Sequence, residues 1–192
     1  MIATRDHLSW SQMICWEKGE QEYHRYYILG QRMNNRYTDF GRKIHEGLEK
    51  KETEDKEVEF CRLYIPTPAI HEPIIKVQCE KLPILIKPDG ITRGKNPIID
   101  EYKTGKAPWT QTKADSHGQL TFYDMAWYWR YKKIPENRLI WIPTMEDEYG
   151  LIRLTGKIPQ VFKTKRTITD IVEMYGRAND AWKGIQNFCK SL

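Results

Sequence analysis

Lys87-Pro88-Asp89, followed by Ile99-Asp100-Glu101-Tyr102-Lys103-Thr104-Gly105-Lys106, is the stretch that decides the fold. Ile98 to Lys103 is short, rich in β-forming residues and preceded by the turn sequence Gly94-Lys95-Asn96-Pro97, so it reads as a strand. Side chains alternate along a strand, so Glu101 and Lys103 share one face and Asp100 takes the other. Pro83 to Lys87 reads as the strand before it, closed by Pro88-Asp89-Gly90. A hairpin of this length brings Asp89 beside Glu101. Two adjacent carboxylates repel unless a cation stands between them. A hard divalent ion such as Mg²⁺ or Mn²⁺ prefers oxygen ligands and meets that need. Such an ion binds a phosphate oxygen, lowers the pKa of a bound water and stabilises developing charge. Lys103 beside it orients the attacking water or balances charge in the transition state. Asp89, Glu101 and Lys103 are therefore the candidate catalytic residues, and the chemistry they suit is phosphodiester hydrolysis. The bare pattern is common on surface hairpins, so it gains meaning only from further elements in the right order.

On the N-terminal side, Ser9-Trp10-Ser11-Gln12 predicts a capping box. The helix it opens is expected through Cys15, Trp16 and Tyr23 to about Tyr27, with Gly30 ending it. Phe40, Ile44 and Leu48 recur every four residues and predict a second helix from about Thr38 to Lys51. His45 and Glu49 share its neighbouring face, one turn apart, so a metal ligand at His45 would put Glu49 in reach of a second metal site. The charged run from Glu49 to Glu57 predicts a solvated helix end and loop. Val58 to Ile65, Ile74 to Cys79, Pro83 to Lys87 and Ile98 to Lys103 predict strands of one meandering sheet. A third helix is expected from about Asp115 to Lys132, with Leu120, Tyr123, Trp127 and Tyr131 on one face. Leu139 to Pro143 and Leu151 to Thr155 predict further strands, and a last helix runs from Thr167 or Thr169 to Phe188. Ile171, Met174, Ala178, Ala181 and Ile185 are its buried stripe. This order predicts an α/β fold, a mixed central sheet flanked by helices, in one domain over residues 1 to 192.

Four pieces, in order, resemble the RecB-like branch of the PD-(D/E)XK nuclease superfamily, which includes CRISPR adaptation nucleases and phage exonucleases. Leu8-Ser9-Trp10-Ser11-Gln12 with Cys15 is similar to its first helix. Gly41-Arg42-Lys43-Ile44-His45-Glu46-Gly47-Leu48-Glu49 is similar to its G-x-x-x-H-x-x-L helix. Pro88-Asp89 with Glu101-Tyr102-Lys103 is similar to the namesake motif, and Gln119-Leu120-Thr121-Phe122-Tyr123 to its Q-x-x-x-Y. The likeness spans roughly residues 8 to 130. It implies a restriction-endonuclease-like core and a Mg²⁺- or Mn²⁺-dependent DNA nuclease, acting as an exonuclease or end-processing enzyme in recombination, repair or phage DNA metabolism. It also implies metal ligation by His45, Asp89, Glu101 and the carbonyl of Tyr102, with Lys103 as the catalytic lysine and Gln119 and Tyr123 facing the DNA. Some relatives carry a four-cysteine iron–sulfur cluster. Here only Cys189 lies near the C-terminus, so a cluster is not expected.

Outside these motifs, Arg93, Lys95, Lys106 and Lys113 are candidate phosphate contacts, as is the cluster Lys163, Lys165 and Arg166. Trp109 reads equally as a base-stacking residue and as a loop anchor. The formal net charge of +5 and pI near 8.9 lean only weakly towards a polyanionic partner. At 192 residues, 40% hydrophobic and 12% aromatic, the chain can bury a core of its own. No apolar run approaches the ~18 residues of a membrane span, and Met1 to Asp6 has no signal-peptide core behind it. A cytoplasmic protein is expected, with DNA as partner and no membrane. The chain has no Walker motif, so any helicase or recombinase would be a separate partner, and oligomers are compatible with the sequence. Two other readings fit the same residues: a non-catalytic nucleic-acid-binding module on the same fold, and an RNA-directed nuclease.

Overall fold

The computed structural model describes residues 5–31, 35–50 and 54–192. Most of the N-terminal stretch read for a signal peptide, and Lys51-Glu52-Thr53 of the charged run, lie outside the described residues. Among the described residues no helix is long and apolar enough to cross a membrane.

Helix α1 (Trp10–Glu17) opens on the expected capping box: Ser9 accepts from the Gln12 amide, and Gln12 Oε1 accepts from the Ser9 amide at 2.9 Å. It stops sooner than expected, because Gly19 takes φ 132°, outside helical space. The chain resumes as α2 (Glu20–Tyr23) and one π-helical turn (His24–Ile28). Helix α3 (Arg36–Lys50) buries Phe40, Ile44 and Leu48, the predicted stripe. Helix α4 (Lys56–Tyr64) stands where a strand was expected. The Asp55 carboxylate accepts from the amides of Glu57 and Val58 and starts it. Val58, Cys61 and Ile65, spaced three and four apart, are buried together.

The strands are β1 (Ile70–His71), β2 (Ile75–Cys79), β3 (Leu82–Ile86), β4 (Gly90–Thr92) and β5 (Ile98–Gly105). After α5 (Gln111–Asp115) and α6 (Gly118–Tyr131) come β6 (Glu136–Glu146), β7 (Ile152–Leu154), β8 (Gln160–Thr164) and α7 (Ile168–Ser191). They do not form one meander. β2 and β3 pair only with each other, whereas β1, β4, β5, β6 and β7 follow in order in the main sheet and β8 joins β6. β4–β5 is antiparallel and β5–β6 parallel, so the sheet is mixed. This is the α/β, restriction-endonuclease-like fold expected from the sequence.

Two cores form on opposite sides of the main sheet. One gathers α1, α6, α7 and the β2–β3 hairpin on Ile99, Leu139 and Trp141. The other gathers α3 and α4 on Tyr102, Ile140 and Ile142. Alternation along β5 therefore sends Glu101 and Lys103 towards α6, and Asp100 and Tyr102 towards α3 and α4. Asp100 is fully buried and accepts from Arg138 Nε and Nη2 at 2.6 and 2.8 Å. α7 opens on a Thr167–Asp170 capping box and buries its predicted stripe. All four cysteines are buried free thiols; burial pushes those of Cys61 and Cys79 up to about 12.

Candidate active site

Register builds the site. Ile70 pairs with Ile91, and Ile91 with Ile99; His71 pairs with Gly90, and Gly90 with Asp100. One residue further along all three strands, Glu72, Asp89 and Glu101 fall in a row. Two backbone bonds hold that row: the Glu72 amide donates to the Asp89 carbonyl at 3.0 Å, and the Asp89 amide to the Asp100 carbonyl at 3.1 Å. Glu72 sits at φ 41°, a strained value for a residue that is not glycine.

The fourth group comes from above. A Cβ added to Gly41 would lie 2.9 Å from Thr104 Oγ1, so only glycine lets α3 settle this close on β5. One turn later His45 reaches down, its Nδ1 3.0 Å from Asp89 Oδ1 and its ring edge-on to Tyr102. A second glycine, Gly47, seats α4 against the same helix: its added Cβ would lie 2.5 Å from Val58 Cγ2. His45, Glu72 and Asp89 offer ligand atoms all within 4.8 Å of one another, a group able to hold a metal ion.

Glu101 flanks that group, only 3% exposed. Lys103 Nζ donates to its Oε1, while its Oε2 is buried without a partner. Burial and the nearby Asp89 raise its carboxyl to about 7 against the opposing pull of Lys103. Burial would lower the His45 pKa, but Asp89 and Glu101 together outweigh it and raise it. Three metal-capable side chains thus stand near a buried fourth, Glu101, whose Oε2 has no hydrogen-bond partner. A hard cation with one nitrogen and several oxygen ligands fits that donor set. Asp89 Oδ2 accepts from the Tyr102 amide at 2.5 Å. A strand residue projects its N–H and C=O to the same side, so the Tyr102 carbonyl is turned towards Asp89 as well.

On the opposite flank Lys103 Nζ donates to Gln119 Oε1 at 2.9 Å, Gln119 Nε2 to the Tyr123 hydroxyl at 2.6 Å, and that hydroxyl to the Lys87 carbonyl at 3.1 Å. The relay ties the lysine to the residue preceding Pro88-Asp89. Burial pushes the Tyr123 phenol up, so it stays neutral.

The sequence-derived set therefore meets in one place: His45, Asp89, Glu101, Tyr102, Lys103, Gln119 and Tyr123. Two members stand apart. Lys106 is exposed beyond the end of β5. Trp109 packs against the core, with Lys113 Nζ 4.2 Å above its ring and His117 edge-on at 5.0 Å, the environment of a loop anchor. Arg166, expected on a basic surface, is 6% exposed and donates to Thr121, Thr164 and the Ala114 and His117 carbonyls. It fastens β8 to α6 rather than facing solvent. Glu49 is exposed and outside the metal group. Glu72 was missed, because its pairing with Asp89 crosses the whole β2–β3 hairpin and leaves no local pattern. The one signal was a His-Glu pair directly before Pro73.

No family model and no curated protein matches this sequence. Solved structures do match its fold. A crystal structure from Eubacterium rectale, of a protein provisionally named an exonuclease, superposes with a TM-score of 0.62 at 11% identity, over 97% of this chain and 82% of that one. SSO0001 matches at a TM-score of 0.49 and 16% identity, over 93% of this chain and 77% of that one, too distant to argue from.

Proposed function

We propose that the chain is a metal-dependent nuclease of the RecB-like PD-(D/E)XK kind, hydrolysing phosphodiester bonds in DNA at or near strand ends. The observation that carries this is the row Glu72, Asp89 and Glu101 on three adjacent strands, closed by His45 on one side and Lys103 on the other. In this reading His45, Glu72, Asp89 and Glu101 hold Mg²⁺ or Mn²⁺, the nitrogen ligand favouring Mn²⁺ somewhat. The ion supplies Lewis acidity at a phosphate oxygen and at the attacking water. Lys103, fixed between Glu101 and Gln119, stands where it can balance charge on the phosphate under attack. Gln119 and Tyr123 hold that lysine in place and line the route to it. The preference for ends rests on the sequence resemblance and on the name given to the structural neighbour. Recombination, repair or phage DNA metabolism are the settings such an enzyme suits.

The test is cleavage of end-labelled single-stranded, double-stranded and circular DNA with Mg²⁺, Mn²⁺ or EDTA. Wild type should shorten linear DNA only with metal. Glu101→Ala and Lys103→Ala should lose at least about a hundredfold in rate while keeping their folded circular-dichroism spectra. Nicked circles would make it an endonuclease. Absence of cutting of DNA or RNA with every metal would overturn the catalytic reading and leave a nucleic-acid-binding module.

A further inference from the structure

Past Asp89, β4 leads away from the carboxylate row towards Arg93. Beside it lies a cavity of about 270 Å³, close to the ~300 Å³ at which small-ligand sites begin. Ile91 and Trp127 are its buried lining, and Lys76, Arg93, Arg130 and Tyr131 its exposed rim. Among the described residues no carboxylate lines it, and Lys76 has one acidic neighbour, the exposed Asp6 at 3.5 Å. Arg130 donates to the Tyr131 hydroxyl at 3.2 Å and lies over that ring. Arg93 has no partner among the described residues.

Three cations facing one hollow repel one another unless an anion enters it. Tyr131 is 46% exposed and leans on Trp127, ring centroids 4.4 Å apart, so an aromatic surface stands among the charges. Cations that track a backbone, set beside exposed rings on which bases stack, make a single-strand contact. A duplex could use the cations but not the ring, since its bases already face one another. Arg93 is four residues from Asp89, about 13 Å along the strand, a reach of a few nucleotides.

The geometry points to a second nucleic-acid contact in this cavity: Arg93 and Arg130 each take one backbone phosphate and Tyr131 an unpaired base of the strand whose neighbouring phosphodiester lies at the metal group. The site deepens the nuclease reading, and its identity as a DNA site rests on that reading. It implies that the enzyme grips single-stranded rather than paired DNA on this side of the active site.

The experiment measures binding of a labelled oligothymidine single strand by fluorescence anisotropy, in EDTA, across a salt series. It compares wild type, the double variant Arg93→Ala/Arg130→Ala, the charge-keeping Arg93→Lys/Arg130→Lys, Tyr131→Ala and, as a remote control, Lys190→Ala. Each lost phosphate contact lowers the slope of log affinity against log salt by about 0.7 for a single strand, so the double alanine variant should lose about 1.4 and the lysine variant almost nothing. Tyr131→Ala should lose about tenfold in affinity with its slope unchanged. A double-alanine slope no lower than that of Lys190→Ala overturns the site, as does a wild type that binds no strand. Unchanged affinity in Tyr131→Ala overturns the single-strand assignment. No cleavage is read, so an inactive protein that passes this test sinks the nuclease reading alone, and an active nuclease that fails it sinks the cavity alone.

Discussion

Asp124 lies on α6 with no solvent exposure, accepting from Asn137 Nδ2 at 2.7 Å. Its other oxygen and Asn137 Oδ1 are both buried without a donor. Burial raises its carboxyl from 3.8 to about 8, against the opposing effects of Asn137 and Arg166 and with Asp170 adding slightly. A proton on Asp124 supplies the donor that this pair of oxygens lacks. Below about pH 4 folded and unfolded chains both hold that proton. From there to about pH 8 only the folded chain holds it, so rising pH favours unfolding throughout that window; above it both chains are ionised. Between pH 5 and pH 7 this one group removes about 3 kcal/mol of stability. Asp124→Asn abolishes the titration and keeps the shape: the introduced amide still accepts from Asn137 and carries its own donor. Urea unfolding of both proteins at pH 5, 6, 7 and 8 reads the difference directly. The variant's stability relative to wild type should climb by about 3 kcal/mol from pH 5 to pH 7. Parallel stability curves for the two proteins across that range would refute the reasoning, because they would mean that Asp124 is ionised in the folded state or solvated there.

Glu72→Gln removes one carboxylate from the metal group, and calorimetric titration with Mn²⁺ should show affinity falling at least about tenfold with the fold retained; equal affinity would exclude Glu72 as a ligand. Gly47→Ala drives a methyl into Val58 across the α3–α4 contact, where the added carbon would sit 2.5 Å from Cγ2. Its stability in urea should drop by about 1–3 kcal/mol, and a neutral result would mean that the two helices part without penalty.

The parts of this fold legible in the sequence were those fixed by neighbours in the chain. The Ser9 cap, the α3 stripe of Phe40, Ile44 and Leu48, and the Glu101/Lys103 face of β5 depend on spacings of two to four residues, which a sequence displays openly. Residues 58–65 were misread because Val58, Phe60, Cys61 and Ile65 have β propensity. The capping carboxylate of Asp55, at the end of a run taken for a charged loop, made them a helix. Gly19 looked like one more glycine in a helical run, and its φ of 132° is a tertiary fact. Glu72 was out of reach for a different reason. Its place is set by pairing β1 with β4, strands of two and three residues with a whole hairpin between them. Arg166 reads as surface charge until Thr164 of β8, Thr121 of α6 and the Ala114 and His117 carbonyls between α5 and α6 receive it.

The hairpin between Glu72 and Asp89 has a consequence for how such sites vary. Both ends of that excursion are anchored, at its start by the β1–β4 pairing and at its close by Asp89 on β5. Its far tip is the exposed turn at Glu80 and Lys81, with Glu80 at φ 52°. Residues added there lengthen a surface loop, and doubling a loop costs only about 0.6 kcal/mol, while neither carboxylate moves. The number of residues between these two acids is thus a spacer that the chemistry does not read. A search that demands fixed intervals would pass over chains carrying the same site, whereas one that asks for an acid two strands across from the ExK strand would find them.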